Sequence, residues 1–345
     1  MVSHKVIEPS RLSQAHMNEV STIYQVYHDQ LRHTSSKEAA EATKNYCLSS
    51  AHVKTEDKLA SYEFLYMNDF FHELDAVLST TQDNSEIPLL YQILLTRYSK
   101  PLTNEDLEWL QTLSFSHPSL RCLHLFTLVY AYYDSKQYTG LDKYVDECYD
   151  ALLQVNEPLF YYYMKLRFDE LLFQHYWKTN NILLAKKYIY KVLNTDLSPR
   201  KQSSMNHNLA LCHLYEDYDL SIGYAYAGLS IARENQLNKV ITSIQNYTIP
   251  FISAFHKRTL NITTPDPVET AHLAIANNDL NTAESILSRL SVLTPFQESY
   301  LGLTRKDRTM LNRAHNRFIK EYGDHFFAQL PLYYLERIHH TNQEE

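Results

Sequence analysis

Apolar residues recur at helical spacing along most of this chain, and prolines mark where several of the apolar runs begin. Pro118, Pro158 and Pro199 stand 40 and 41 residues apart. Each proline heads a long apolar-periodic run, which ends in a polar break and is followed by a shorter amphipathic run. Proline is favoured at the first helical position because the N–H that it lacks has no partner there. The pattern therefore predicts three helix pairs, each headed by a proline.

Similar patterns continue on both sides of these three pairs. Ser35 and Glu38 have the spacing of a capping box, and Asn104 is the predicted N-cap of another helix. A helix over residues 238–255 is expected to break or end near Pro250, since proline cannot continue the hydrogen-bond ladder behind it. Further helices are predicted at residues 10–31, 36–48, 54–68, 69–78, 88–98, 104–113, 268–276, 280–293, 296–303, 306–322 and 326–339.

A period of about 40 residues with two helices per unit is typical of tetratricopeptide-type (TPR) repeats. The predicted fold is all-α, a right-handed superhelical solenoid of TPR-like helix pairs. We divide the chain into N-terminal helices (residues 1–45), a peptide-binding solenoid (46–340) and a polar tail (341–345).

Composition narrows the function classes. The formal charge of −8 opposes non-specific attraction to nucleic acid. No 18-residue apolar run and no secretory leader pattern is present, so we expect a cytoplasmic protein with no membrane contact. The four cysteines lie far apart within apolar helix faces and are expected to be buried, reduced thiols. No catalytic motif, cofactor-binding motif or metal-ligand spacing is found, so we expect no enzyme, no cofactor and no metal.

Two consecutive proline-headed helices carry similar polar stripes. At 3.6 residues per turn, one stripe contains Tyr163, Arg167, Glu170 and Gln174, and the other contains Arg200, Ser204, Asn208 and Leu211. Amide side chains match the C=O and N–H of a peptide unit, and a guanidinium can hold a carboxylate by two hydrogen bonds. The stripes therefore fit a groove for a short extended peptide, although solvated polar faces show the same periodicity.

Direct DNA reading finds less support in the sequence. Residues 1–57 contain six Lys or Arg and seven Asp or Glu, a net charge of −1. No helix–turn–helix pattern with a central glycine turn is visible there, and a basic footprint is missing. We therefore expect no complete helix–turn–helix in this part of the chain.

Several segments resemble one family, the arbitrium receptors (AimR) of temperate Bacillus phages, which belong to the TPR-type peptide-pheromone receptors. The resemblance extends from about Ser13 to His340. Its segments are Asn45–Leu48, Val53–Thr55, Asp69–Leu78, Tyr218–Leu220, Gly228–Ile231, Ala271–His272, Ala283–Leu287, and Asp324 with Leu330–Leu332.

The resemblance implies an intracellular receptor that a peptide of about six residues switches off. In that family the receptor binds DNA and promotes a regulatory RNA that favours lysis over lysogeny. By position, Gln174 and Arg200 match peptide-contacting family residues, and Asn208 lies one helical turn before such a position. Asp324 matches an acidic position that could hold a cationic peptide side chain, and Asn246 is a further candidate. The predicted peptide-binding residues are Arg167, Glu170, Gln174, Arg200, Ser204, Asn208, Asn246 and Asp324.

This chain departs from the family pattern at both ends. Too few residues precede Ser13 to form the family's DNA-binding domain, so direct DNA binding is not expected of that region. The short apolar helix that pairs two family subunits is reduced here to residues 341–345, which leaves a homodimer through the C-terminal helices open. Two alternatives therefore remain: a Rap-like modulator of response regulators acting by protein–protein contact, and a transcription regulator that binds DNA directly.

Overall fold

Every secondary-structure element in the described part of the chain is a helix. The computed structural model describes residues 22–49, 54–80, 86–195 and 198–344. The helices are α1 Thr22–Leu31, α2 Ser36–Ser49, α3 Thr55–Met67, α4 Phe71–Thr80, α5 Ile87–Ser99, α6 Asn104–Thr112, α7 Pro118–Asp134, α8 Thr139–Leu153, α9 Pro158–Lys178, α10 Ile182–Leu193, α11 Pro199–Cys212, α12 Tyr218–Glu234, α13 Asn238–Ser243, α14 Ile249–Phe255, α15 Pro267–Ala276, α16 Leu280–Leu287, α17 Pro295–Thr304, α18 Arg308–Arg317 and α19 Gln329–Glu344.

Local sequence signals placed most helix starts correctly. Pro118, Pro158 and Pro199 are each the first residue of a helix. The capping box at Ser35 and Glu38 is present: the Ser35 N–H donates to Glu38 Oε2 (3.0 Å), and the Glu38 N–H donates to Ser35 Oγ (3.4 Å). The all-α, TPR-like fold class is confirmed.

Several boundaries differ from the prediction. The N-cap of α6 is Thr103 and not Asn104, because the Thr103 hydroxyl accepts the Asp106 N–H while Asp106 accepts the Thr103 N–H. The last helix extends from Gln329 to Glu344, beyond the predicted end at His339. The predicted helical residues 10–21 lie outside the described residues.

The helix is interrupted near Pro250, as predicted, but it does not end there. A π-helical turn, Ile244–Thr248, precedes it, and α14 then continues from Ile249. The turn shifts the backbone ladder by one residue just before the proline that cannot donate. The Asn246 carbonyl, which an N–H at position 250 would otherwise satisfy, accepts the Thr264 hydroxyl at 2.6 Å.

The chain forms two compact units. The first contains residues up to Leu172 together with Tyr190–Ser198, and the second contains Phe173–Ile189 together with the residues from Pro199 onward. The core of the first unit includes the buried rings of Phe64, Tyr91, Phe126 and Phe160. All four cysteines are buried free thiols, as predicted. Burial raises the pKa of the Cys47 thiol to about 11.

An aromatic cluster fills the core of the second unit. Phe326 packs on both Trp177 and Tyr215, with ring centroids 5.7 and 4.9 Å apart. Phe327 contacts Trp177 of α9, Phe251 of α14 and Phe296 of α17. This cluster joins the end of α9, the residues after α11 and the segment before α19 into one body.

Candidate functional site

Arg167, a predicted peptide contact, belongs to the core of the first unit. Its side chain is 1% exposed, and its Nε donates to Glu63 Oε1 at 2.8 Å. Its Nη1 donates to the Tyr130 hydroxyl at 2.8 Å, and the guanidinium lies over the Tyr66 ring. Glu63 also accepts the Tyr91 hydroxyl at 2.9 Å. The stripe residue is thus committed to a buried hydrogen-bond network.

Burial and the neighbouring groups act on Arg167 in opposite directions. Burial is the largest single influence and disfavours the charge, but Glu63 together with Tyr130 and Tyr66 holds the pKa of Arg167 well above its usual value. Burial, followed by the charge of Glu63, raises the pKa of Tyr91. Glu170, one turn after Arg167, is half-buried and adds to the effect of burial that raises the pKa of Tyr130.

Asp324 has an internal cationic partner in the second unit. Its Oδ2 accepts Lys178 Nζ at 2.7 Å, and its Oδ1 accepts the Phe327 N–H at 3.0 Å. Both charged side chains are almost fully buried, and burial lowers the pKa of Lys178 despite the adjacent carboxylate. The ammonium lies 4.1 Å from the centre of the Trp177 ring. Lys178, which was not predicted as a site residue, thus pairs with Asp324 where a cationic side chain of the peptide was expected.

The other candidates of the second unit remain half-buried. They are Gln174, Arg200, Ser204, Asn208 and Asn246. Gln174 Oε1 is enclosed and has no hydrogen-bond partner in the described part of the chain. No side-chain hydrogen bond between the described residues involves Ser204 or Asn208. A buried polar atom without a partner costs about 1–3 kcal/mol, a cost that a hydrogen bond from a ligand would remove at Gln174 Oε1.

Helix α11 has two different faces. On one face, Ser203 Oγ donates to the Gly228 carbonyl of α12 at 2.6 Å, and Ser221 of α12 donates to the Ala210 carbonyl at 2.7 Å. The stripe with Ser204 and Asn208 is rotated away from these contacts. The polar stripe is therefore not the surface on which α12 packs.

The π-helical turn contacts the same helix. Thr248 Oγ1 lies 2.8 Å from His207 Nε2, next to Asn208 in sequence. Burial lowers the pKa of His207 to about 4, so the ring is neutral near pH 7. Asn246 lies in this turn, and its backbone carbonyl is held by Thr264. The structure therefore places Asn208 and Asn246 on two elements that touch each other.

Glu63 and Lys178, the partners of two predicted site residues, were not predicted from the sequence. Glu63 lies within the apolar run of α3, and an ionised side chain in such a run signals a buried partner. The identity of that partner could not be read from the sequence, since Arg167 follows 104 residues later. Lys178 ends α9, where a lysine is ordinary on a solvated last turn.

The described residues contain neither a metal site nor a membrane-spanning helix. They contain no group of three or more His, Cys, Asp or Glu side chains arranged to hold a metal ion. None of the described helices is long and apolar enough to cross a membrane.

Residues 39–337 match the profile of one protein family, described as AimR transcriptional regulator-like. The chain belongs to the AimR transcriptional regulator-like family. The earlier resemblance to AimR is thus confirmed over most of the chain. No curated protein matches the chain significantly.

Solved AimR structures share this fold at low sequence identity. A structure described as phAimR with ligand is 17% identical, with a TM-score of 0.72 over 94% of this chain and 98% of that one. A selenomethionine phAimR structure is also 17% identical, with a TM-score of 0.60 over 87% of this chain and 81% of that one. These similarities establish the helical fold of this AimR-like chain.

Proposed function

We propose that this AimR-like chain is a receptor for a short peptide of about six residues in the cytoplasm of a bacterial host. Peptide binding would control a transcriptional decision between phage lysis and lysogeny. Family membership supports a regulator of this kind, and one of the similar solved structures is phAimR with a ligand. The observation that carries the proposal is the match of residues 39–337 to this family, and the enclosed Gln174 Oε1 without a hydrogen-bond partner in the described chain marks where the site is tested.

The proposed peptide site lies within the second unit. It comprises Gln174, the α11 stripe of Arg200, Ser204 and Asn208, and Asn246 of the π-helical turn. Amides can pair with the C=O and N–H of a bound peptide backbone, and the guanidinium can hold a peptide carboxylate. Arg167 and Asp324 are left out of this site because each is buried in an ion pair of its own. Glu170 belongs to the first unit and is left out as well.

The site can be tested with alanine variants of Gln174 and Asn208. The full chain is first screened against a synthetic hexapeptide library, and the strongest binder and its scrambled sequence are then titrated by calorimetry. We expect Gln174→Ala and Asn208→Ala each to weaken binding about tenfold, because each removes a hydrogen bond worth about 1–2 kcal/mol. Their melting temperatures should change little, since neither side chain has a hydrogen bond to lose within the described chain.

Asn206→Ala is the matched control. Asn206 is also on α11, but its Nδ2 already donates to the Gln202 carbonyl at 2.9 Å. Its replacement should change peptide affinity less than twofold. Absence of any selective hexapeptide binder, or equal losses for Asn206→Ala and Asn208→Ala, would overturn the proposed site.

The output of the receptor is a separate question. The family description favours transcriptional regulation. Gel-shift titration at several salt concentrations tests direct DNA binding, because phosphate contacts make affinity fall steeply with salt. Mixing with phosphorylated response regulators tests the Rap-like alternative, which predicts faster loss of phosphate.

A further inference from the structure

A cleft of about 390 Å³ opens within the second unit, away from the residues assigned to peptide. Helices α14 to α17 and α19, with the turns that follow three of them, supply its lining. The apolar part consists of Ala254, Ile275, Ala276, Leu280, Leu303 and Ile338. The polar part consists of Lys257, His272, Asn278, Lys306 and Arg337. A pocket of this size that combines apolar walls with a few convergent polar groups is typical of small-molecule sites.

Repeat geometry brings the polar corner residues together. Lys257, Asn278 and Lys306 occupy the same position after helices α14, α15 and α17, with backbone φ of 55°, 63° and 53°. This left-handed conformation after a helix favours glycine or asparagine, and another side chain costs about 1 kcal/mol or more. Two lysines nevertheless stand at this position, and both line the cleft.

The charged side chains that line the cleft are all cationic. Three of its lining residues are cationic and none is a carboxylate, in a chain whose formal charge is −8. Neither Lys257 nor Lys306 forms an ion pair with another described residue. Arg337 is fixed in place: it donates to the Phe255 carbonyl at 2.6 Å, and its guanidinium lies 4.7 Å from the Phe255 ring centre. Such a cleft attracts an anion.

His272 adds an unsatisfied polar group to the lining. The side chain is 1% exposed, and its ring stacks on Tyr300 with centroids 4.1 Å apart. Its Nε2 lies 2.7 Å from the Tyr334 hydroxyl. Its Nδ1 is 3.5 Å from Glu269 Oε2 and is a buried atom without a hydrogen-bond partner among the described residues. A buried nitrogen of this kind is normally paired, so the hydrogen-bonding capacity of Nδ1 is unused within the described residues.

We propose that this cleft binds a carboxylate that carries an apolar chain. The carboxylate lies between the Lys257 and Lys306 ammonium groups, and the chain packs on Leu280, Leu303 and Ile338. The carboxylate can belong to a small organic acid or to the C-terminus of a peptide. None of the side chains assigned to the peptide site lines this cleft, so the proposal does not rest on that function.

Calorimetric titration of the full chain with hexanoate and hexan-1-ol tests the proposal. The two probes have the same chain and differ in charge, and we expect hexanoate to bind at least tenfold more tightly. Inorganic phosphate tests an anion without an apolar chain and is expected to bind more weakly than hexanoate. A hexapeptide with a C-terminal leucine, as free acid and as amide, tests the second source of the carboxylate. Preference for the free-acid peptide with no hexanoate binding would assign the cleft to peptide termini.

Variants of the two lysines connect binding to the cleft. Lys257→Gln and Lys306→Gln should each weaken carboxylate binding at least fivefold, whereas Lys320→Gln, an exposed lysine outside the cleft, should leave it unchanged. Lys306→Gly tests whether weaker binding comes from misfolding. Because glycine suits the left-handed backbone, the melting temperature of this variant should be equal or higher while its carboxylate binding is lost. The proposal is overturned if neither carboxylate binds, if hexan-1-ol binds equally well, or if both Gln variants bind like the wild type.

Discussion

Arg167 and Gln174 stand seven residues apart on α9 and on one predicted stripe, yet their surroundings give them different roles. Arg167 is enclosed with Glu63 and the hydroxyl of Tyr130, to which its Nε and Nη1 donate, while its Nη2 is buried without a hydrogen-bond partner among the described residues. Gln174 keeps an enclosed oxygen without a partner. Helical periodicity places both residues on one face, but it does not tell which of them has an internal partner.

The buried ion pair gives a prediction about stability. Replacing Arg167 by Met leaves the Glu63 carboxylate buried without its counter-charge, and we expect the free energy of unfolding to fall by about 3–5 kcal/mol. Urea unfolding followed by circular dichroism measures the change. The double variant Glu63→Gln/Arg167→Met should be more stable than Arg167→Met alone, because no uncompensated charge remains.

An exposed ion pair serves as the control. Arg258 pairs with Asp219 at 3.1 Å, and both side chains are more than half exposed. Arg258→Met should therefore cost less than about 1 kcal/mol. Similar losses for Arg258→Met and Arg167→Met would show that the core pair contributes no more than a surface pair.

At the scale of elements, close packing of α11 on α12 depends on a glycine. A Cβ at Gly228 would lie 3.0 Å from the Ser203 carbonyl oxygen and 3.2 Å from Ile244 Cδ1. Ser203 also donates its hydroxyl to the Gly228 carbonyl. The two helices therefore approach so closely at this point that a side chain at position 228 would crowd the Ser203 carbonyl.

Two glycines of α12 give a matched pair of substitutions. Gly228→Ala should lower the free energy of unfolding by about 1–3 kcal/mol, because the added methyl overpacks the contact with α11. Gly223 is exposed, and a Cβ there would meet nothing within 4 Å. Gly223→Ala should raise stability by up to about 1 kcal/mol through helix propensity alone. Thermal unfolding of both variants checks the expectation, which fails if the two changes have the same sign.

At the scale of the whole molecule, buried histidines tie stability to pH. Burial lowers the pKa of His207 to about 4, and burial likewise lowers the pKa of His124, His256 and His272. These rings are neutral in the folded chain, while in the unfolded chain they take up protons below pH 6.5. Protons therefore favour unfolding as the pH falls below that value.

We expect the free energy of unfolding to be constant above about pH 7 and to fall between pH 6.5 and 4. Each such histidine can contribute up to about 1.4 kcal/mol per pH unit in this window. Urea titrations at half-unit steps from pH 7.5 to 5 measure the slope. His207→Gln keeps a polar group near Thr248 but cannot titrate, so its slope should be smaller. An identical slope for this variant would show that His207 does not contribute to the pH dependence of the free energy of unfolding.

The amino-acid sequence by itself determined the helical architecture. Apolar spacing, the proline at the head of α7, α9 and α11, and the capping box at Ser35 are local signals. Helix hydrogen bonds join residues four positions apart, so a segment contains the information for its own helix. Even at Pro250, the sequence located the irregularity, although the structure answers it with a π-helical turn and not with a helix end.

Only the tertiary structure decided which polar residues are internal. Arg167 pairs with Glu63 across 104 residues, and Lys178 pairs with Asp324 across 146. Lys257 and Lys306 occupy the same position after their helices, and the stacking of the helix pairs brings both into the lining of one cleft. Burial and pairing arise from segments far apart in the chain, and no local periodicity encodes which segments meet. That is why the sequence predicted the helices well and could not tell which of the predicted site residues have internal partners.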